Sequence, residues 1–242
     1  MTHLKHQPFR RLLSRASLFS VGVLAAACSV AVNAPLVGVA QSTASIAAAQ
    51  FPVPVVDVAA RPEQPLQTAV FAGGCFWGIE AVFENLKGVT EAVSGYSGGS
   101  AETATYERTN EGDTGHAEAV WVTYDPSQIT YGQLLRIYFS VAHDPTQLNR
   151  QGADIGTQYR SAIFYANEEQ RSAAQSYIQQ LTEAQVFDRP IVTQLEPLVA
   201  FYEAEDYHQD YIVHNPANPY VVVHDLPKLA HLRQEFPELY RN

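Results

Sequence analysis

The sequence predicts an α+β fold of the ferredoxin-like, split βαβ kind, a two-layer sandwich of sheet and helices with a C-terminal extension. Three observations point there. Between residues 68 and 195 the apolar spacing runs β-α-β-β-α-β and then adds one helix and one strand. Gly, Asp-Pro and Asn signals fall between those segments. The chain has 242 residues with 46% hydrophobic content, enough for one ordinary domain with extensions.

Residues 68–73 read as a strand. Gly73-Gly74 then turns the chain into a helix over 75–87, where Cys75, Ile79, Val82, Phe83 and Leu86 share one stripe. Gly88 stops that helix, and 89–95 read as a second strand closed by Tyr96-Ser97-Gly98-Gly99. Residues 100–115 are polar and loop-like, with Tyr106 among them. A strong strand pattern at 116–124 ends at Asp125-Pro126, and a helix is expected over 130–142. A polar loop leads to a strand at 160–166. Asn167 with Gln170 has the spacing of a helix cap, and Ala174, Tyr177, Ile178 and Leu181 give the following helix its core stripe. A last strand is expected at 191–195, and the tail reads as short helices over 203–214 and 227–240.

The first 66 residues stand apart. Lys5, Arg10, Arg11 and Arg15 precede an apolar run from Leu18 to Val32, with small residues up to Gly38-Val39-Ala40. This is the pattern of a cleavable export signal over 1–40, followed by a flexible linker over 41–66 and the folded domain over 67–242. The expected location is therefore periplasmic or extracellular. Retention of 18–40 as a membrane anchor, or lipidation at Cys28, are the alternatives. Loss of 1–40 removes four basic residues and takes the formal net charge from −10 to −14. So acidic a surface argues against nucleic acid or anionic membrane as a partner. A monomer is expected.

Cysteine usage is the sharpest compositional fact. The chain has two, Cys28 and Cys75, and Cys28 lies in the signal. The mature domain then has one thiol and no internal disulfide. A lone exported thiol is a liability unless it works, and Met1 is the only methionine. Cys75 sits where a strand turns into a helix. There the N–H groups and the positive end of the peptide dipoles favour thiolate. Position alone also fits a buried core cysteine.

Glu118 shares a strand face with His116, Val120 and Val122. Buried, it would stay protonated near neutrality and act as a proton donor; exposed, it would be an ordinary surface acid. Asp154 and Tyr159 lie in a polar loop, a common place for site residues and equally for solvated ones. The histidines have no zinc-motif spacing, and with one cysteine available a metal site is not expected.

Four motifs occur in order: Gly74-Cys75-Phe76-Trp77-Gly78, Gly112-Asp113-Thr114-Gly115-His116-Ala117-Glu118, His143-Asp144-Pro145, and Gly156-Thr157-Gln158-Tyr159-Arg160-Ser161. Together they resemble the A-type peptide methionine sulfoxide reductases, from about residue 68 to about 219. The resemblance implies an oxidoreductase acting on sulfur with a disulfide as acceptor, selective for the S epimer, free or in oxidised proteins and peptides. It implies Cys75 as nucleophile and Glu118 as the carboxyl that protonates or hydrogen-bonds the sulfoxide oxygen. Phe76 and Trp77 would hold the S-methyl group, Tyr106 and Tyr159 the oxygen, with Asp154 in the same polar network. No bound cofactor is implied.

The chain departs from many relatives after Asn215-Pro216-Ala217-Asn218-Pro219-Tyr220, where Val221 follows and no resolving cysteine is expected. A sulfenic acid on Cys75 would then be reduced by an external thiol, from a thioredoxin-like or glutaredoxin-like protein or a small thiol. Competing readings are a cysteine hydrolase using His116 or His143, a binding domain for methionine-like side chains, and a thiol peroxidase.

Overall fold

A computed structural model of the chain describes residues 50–61, 63 and 65–241. The expected signal over 1–40, the alternative anchor at 18–40 and Cys28 lie outside the described residues. Within the described residues one six-stranded sheet carries the order β7-β6-β1-β3-β2-β8. Its strands are β1 (Gln67–Ala72), β2 (Val89–Ser97), β3 (Ala117–Tyr124), β6 (Ala162–Tyr165), β7 (Gln194–Pro197) and β8 (Phe201–Glu203). The short pair β4 (Arg150–Gln151) and β5 (Asp154–Ile155) stands apart. Helices α1 (Phe76–Glu84), α2 (Tyr106–Thr109), α3 (Tyr131–Ile137), α4 (Glu168–Glu183), α5 (Tyr211–His214) and α6 (Leu226–Glu235) connect them.

The central four strands, β6-β1-β3-β2, are antiparallel neighbours. They follow the split βαβ order expected from periodicity, with α1 crossing between β1 and β2 and α3 between β3 and β6. β7 extends this sheet parallel to β6, and β8 extends it antiparallel to β2. Strand alternation sorts the core. Phe71, Val120, Val122 and Tyr96 face the cluster under α1, α3 and α4. Val70, Ala72, Ala117, Ala119, Ala162 and Phe164 face a smaller cluster against Trp121, Leu198 and Phe201. Both faces of the central strands are therefore buried. Glu118 is on the helix-covered face at 2% exposure, which decides between the two readings of that strand.

Local chemistry explains the helix boundaries. Thr130 and Gln133 form a reciprocal capping box at α3. Asn167 caps α4 by accepting from the Gln170 N–H at 3.0 Å. Gln170 does not complete a box. Its side chain accepts from Ala166 N and donates to Thr68 O at 2.6 Å, tying α4 to β1. The helix expected over 130–142 changes at Tyr138 into a π-turn over Tyr138–Ala142. That stretch keeps Tyr138, Phe139, Val141 and Ala142 buried and lets the Tyr138 hydroxyl reach Ala72 O at 2.7 Å.

Two expectations are corrected. Residues 50–60 belong to the segment expected to be a flexible linker, yet they are docked on the domain. Phe51 is 2% exposed with its ring edge-on to Phe187 at 5.7 Å. Pro52 O accepts from Tyr177, Val53 O from Gln180, and Asp57 accepts from Gly132 N at 2.7 Å at the start of α3. One large ring in an otherwise small-residue segment supplies the anchor that composition hides. The tail helix expected over 203–214 is instead β8, a 3-10 turn Asp206–His208 and α5. Asp210 adopts a left-handed conformation (φ 52) and starts α5, while Glu80 of α1 accepts its N–H at 3.3 Å. Long-range bonds of this kind override local helix spacing.

Candidate active site

Cys75 caps α1, with φ −55 and ψ 125, at the end of the turn that leaves β1. Gly74 has φ +103, and a Cβ there would stand 2.6 Å from Gln151 Cγ, so glycine serves both the turn and the close approach. The thiol is 8% exposed. Its ionisation departs from the expectation of a favoured thiolate. Burial pushes the thiol well above its ordinary value, with Glu118 and then Asp225 adding to the effect. The Trp77 backbone N–H and Lys228 act the other way. A cap position under near-complete burial is thus a neutral thiol in the resting protein, because desolvation outweighs the helix end.

Opposite it, the Phe76 N–H donates to Glu118 Oε2 at 3.0 Å. Burial pushes the Glu118 carboxyl up to about 8, against the pull of that N–H, and Asp154 adds to the rise. Glu118 is therefore protonated at neutral pH. Burial raises the half-buried phenols Tyr106 and Tyr159, and both also feel the charge of Glu118, Asp154 and Cys75. The structure thus brings Cys75, Glu118, Tyr106, Tyr159 and Asp154 to one site. Tyr159 reaches Asn110 Oδ1 at 3.4 Å.

The aromatic wall comes next. Phe76 is 0% exposed, so its ring is the floor, packed on Tyr96 and on His208 at 5.0 Å. Trp77 is the partly open wall. Its indole stacks on Tyr211 at 3.6 Å and 6°, and its Nε1–H donates to His208 Nδ1 at 3.1 Å. Tyr220 stands edge-on to Trp77 at 5.9 Å, and its hydroxyl donates to Asp154 in a short hydrogen bond.

Sequence reading missed this tail contribution. His208 looked like one of several scattered histidines, but it is 1% exposed and fixes Trp77. Burial lowers its pKa. Since Nδ1 accepts, Nε2 carries the hydrogen, and it has no hydrogen-bond partner among the described residues. Glu205 accepts from Tyr106 N at 3.0 Å and Tyr96 Oη at 2.8 Å and lies 4.0 Å from His208. The Trp77 and Tyr106 sides of the site are joined through it. The only sequence signal was the clustering of Tyr207, His208, Tyr211 and Tyr220 in the tail.

The histidines of the hydrolase reading are committed elsewhere. His116 accepts from Gly99 N and donates to Ser100 O. His143 donates to Tyr138 O, and its Nε2 lies 2.6 Å from Ser161 Oγ. Burial pushes His143 down to about 4. Among the described residues no cluster of three or more His, Cys, Asp or Glu side chains is placed to hold a metal ion.

A thiol without an imidazole base, facing a neutral carboxylic acid and two phenols beside an indole wall, is built to protonate an oxygen while sulfur attacks the atom that bears it. The class so defined is a cysteine-dependent reductase of an oxygen-bearing group. Comparison with known proteins makes the class specific: the family described as peptide methionine sulfoxide reductase matches residues 67–240, and the chain belongs to that family. It is 60% identical over 174 residues to a peptide methionine sulfoxide reductase MsrA 2 of Mesorhizobium japonicum, covering 72% of this chain and 89% of that one. The counterpart from Synechocystis is 55% identical over 190 residues, covering 78% and 89%. Among solved structures, Mxr1 of Saccharomyces cerevisiae in reduced form superposes with a TM-score of 0.59 at 32% identity, covering 66% of this chain and 91% of that one. Methionine sulfoxide reductase A of Corynebacterium diphtheriae superposes at 0.56 and 37%, covering 66% and 79%. The protein is a thiol-dependent oxidoreductase that reduces methionine sulfoxide and so repairs oxidised proteins, and the hydrolase and binding-domain readings are set aside.

Proposed function

We propose that the protein reduces the S epimer of methionine sulfoxide by a cycle that uses one cysteine, outside the cytosol. The observation that carries the reading is the neutral Glu118 carboxyl, held by the Phe76 N–H beside the buried Cys75 thiol. Glu118 hands its proton to the sulfoxide oxygen, and the thiol proton of Cys75 replaces it. Cys75 Sγ bonds to the substrate sulfur, and the phenols of Tyr106 and Tyr159 stabilise the charge that builds on oxygen. Oxygen then passes to Cys75, and methionine leaves. One thiol and one sulfoxide have become one sulfenic acid and one thioether, so atoms and electrons balance.

Trp77, clamped by Tyr211 and His208, receives the S-methyl group over the Phe76 floor. Cys75 is the one free cysteine among the described residues, and the position after Pro219-Tyr220 is a fully buried valine, Val221. Both support recycling by an external thiol. One thiol displaces water from the sulfenic acid, and a second releases Cys75 as the disulfide of the pair. A thioredoxin-like or glutaredoxin-like protein, or a small thiol, fits that role. The positive start and apolar run of residues 1–40 support export, so the donor is expected to work in the periplasm or outside the cell.

The testing experiment offers the full chain each epimer of a methionine sulfoxide peptide with excess dithiothreitol, beside Cys75→Ser, and follows methionine by chromatography. Reduction of the S epimer alone, lost in the variant, is expected. Reduction of the R epimer, or turnover by Cys75→Ser, overturns the reading.

A further inference from the structure

The chemistry above leaves a buried charge pair, Asp225 and Lys228, without a role. Asp225 ends the π-turn Val221–Asp225, precedes α6, and is 0% exposed. Lys228 Nζ donates to Asp225 Oδ1 at 3.3 Å from a side chain only 19% exposed. The other oxygen, Oδ2, has no hydrogen-bond partner among the described residues. The pair lies directly on Gly78. A Cβ at Gly78 would stand 2.2 Å from Asp225 Oδ1 and 2.6 Å from Lys228 Nζ. Gly78 belongs to the first turn of the helix that Cys75 caps. The charges therefore fill the space that a side chain would otherwise take beside the thiol. Burying two ions costs several kcal/mol each, and an apolar pair of similar size is often as stable or more so. Stability alone does not explain charges at this spot.

We propose that Lys228 and Asp225 act together as a positioning pair that tunes the ionisation of Cys75, the ammonium favouring thiolate and the carboxylate holding the ammonium and limiting its pull. The inference rests on the reductase reading and deepens it. The groups facing Cys75 are Glu118 from β3, Asp225 and Lys228 from the tail, Tyr106 from α2, Tyr159, and Tyr220. Asp225 itself faces Lys228, His224 and Asp154. With Glu118 neutral, Asp225 and Lys228 are opposed charges acting on the same sulfur. In a one-cysteine cycle that sulfur attacks the sulfoxide and later leaves from a mixed disulfide with the external thiol. A nearby cation assists both steps, because each passes through a thiolate.

The test needs neither sulfoxide nor reductant, so its outcome is independent of whether the reductase reading holds. In the full chain carrying Cys28→Ser, Cys75 is alkylated with iodoacetamide across a pH series and its labelling is followed by mass spectrometry. Lys228→Met moves the profile to higher pH and slows labelling at neutral pH about tenfold; Asp225→Asn moves it to lower pH and speeds labelling by a similar factor. The double variant returns close to the parent. A purely structural role would shift both single variants in the same direction, and that result, or two unshifted profiles, overturns the proposal. Should Lys228→Met fail to fold, Asp225→Asn alone decides, since the proposal requires faster labelling.

Discussion

Replacing Glu118 by Gln removes one proton donor while keeping an acceptor for the Phe76 N–H, which lies 3.0 Å from the carboxyl oxygen. The magnitude follows from the site. An acid held at about 8 is protonated at neutral pH, and general acid catalysis supplies on the order of 100-fold or more in rate. The Cys75 thiol is raised well above 9.0, so below about pH 8 both groups are neutral. The reactive thiolate–acid pair differs from that resting state only in where one proton sits. Hence kcat/KM is flat below about pH 8 and falls as Glu118 ionises above it. Glu118→Gln lowers kcat/KM by that factor and abolishes this alkaline limb.

The same carboxyl gives an independent thermodynamic signature. Its folded-state pKa is raised, so its contribution to stability is fully present below about 4.5 and is lost as pH rises through about 8. At 1.36 kcal/mol per pH unit, roughly 3 kcal/mol is lost by about pH 7 and about 5 kcal/mol by the end of the window. The amide that Glu118→Gln introduces cannot ionise. The stability difference between variant and wild type, read by urea titration at about pH 5 and about pH 7, should therefore change in favour of the variant by a little under about 3 kcal/mol. Wild-type kcat/KM in the variant, or a stability difference that does not change with pH, would refute the reasoning.

Three further outcomes are expected. Phe51→Ala empties the anchor of the docked segment and should cost roughly 3–5 kcal/mol in urea unfolding, with little change in kcat, since Phe51 lies on the α3–α4 side of the core. His208→Leu frees the Trp77 indole from its 3.1 Å hydrogen bond and should raise KM for a sulfoxide peptide severalfold, with the larger share of the loss in KM rather than kcat. Tyr220→Phe removes the donor to Asp154 and should cost about 1 kcal/mol of stability while leaving the pH limb set by Glu118 in place, as pH profiles of kcat/KM would show.

Much of the site was legible because its chemistry is local. A strand, two glycines, a cysteine and a helix read as one turn, and alternation in β3 put Glu118 with Val120 and Val122. What escaped depends on contacts across more than a hundred residues. His208 meets Trp77 across 131 positions, and Gln209 ties Ser94 across 115. No spacing rule sees such pairs. Phe51 docks by one ring in a segment whose composition otherwise reads as tether. The thiolate expectation failed for a different reason: helix-end fields are modest, and burial beside two carboxyls outweighs them.

The most direct test of the one-cysteine account is a single turnover without any thiol. The full chain with Cys28→Ser is mixed with excess S-epimer peptide, methionine is counted, and intact mass is recorded. The account predicts one methionine per chain, one added oxygen on Cys75, and no further product until an external thiol is supplied. Continued turnover without thiol, or methionine formed with Cys75 unmodified, would contradict it.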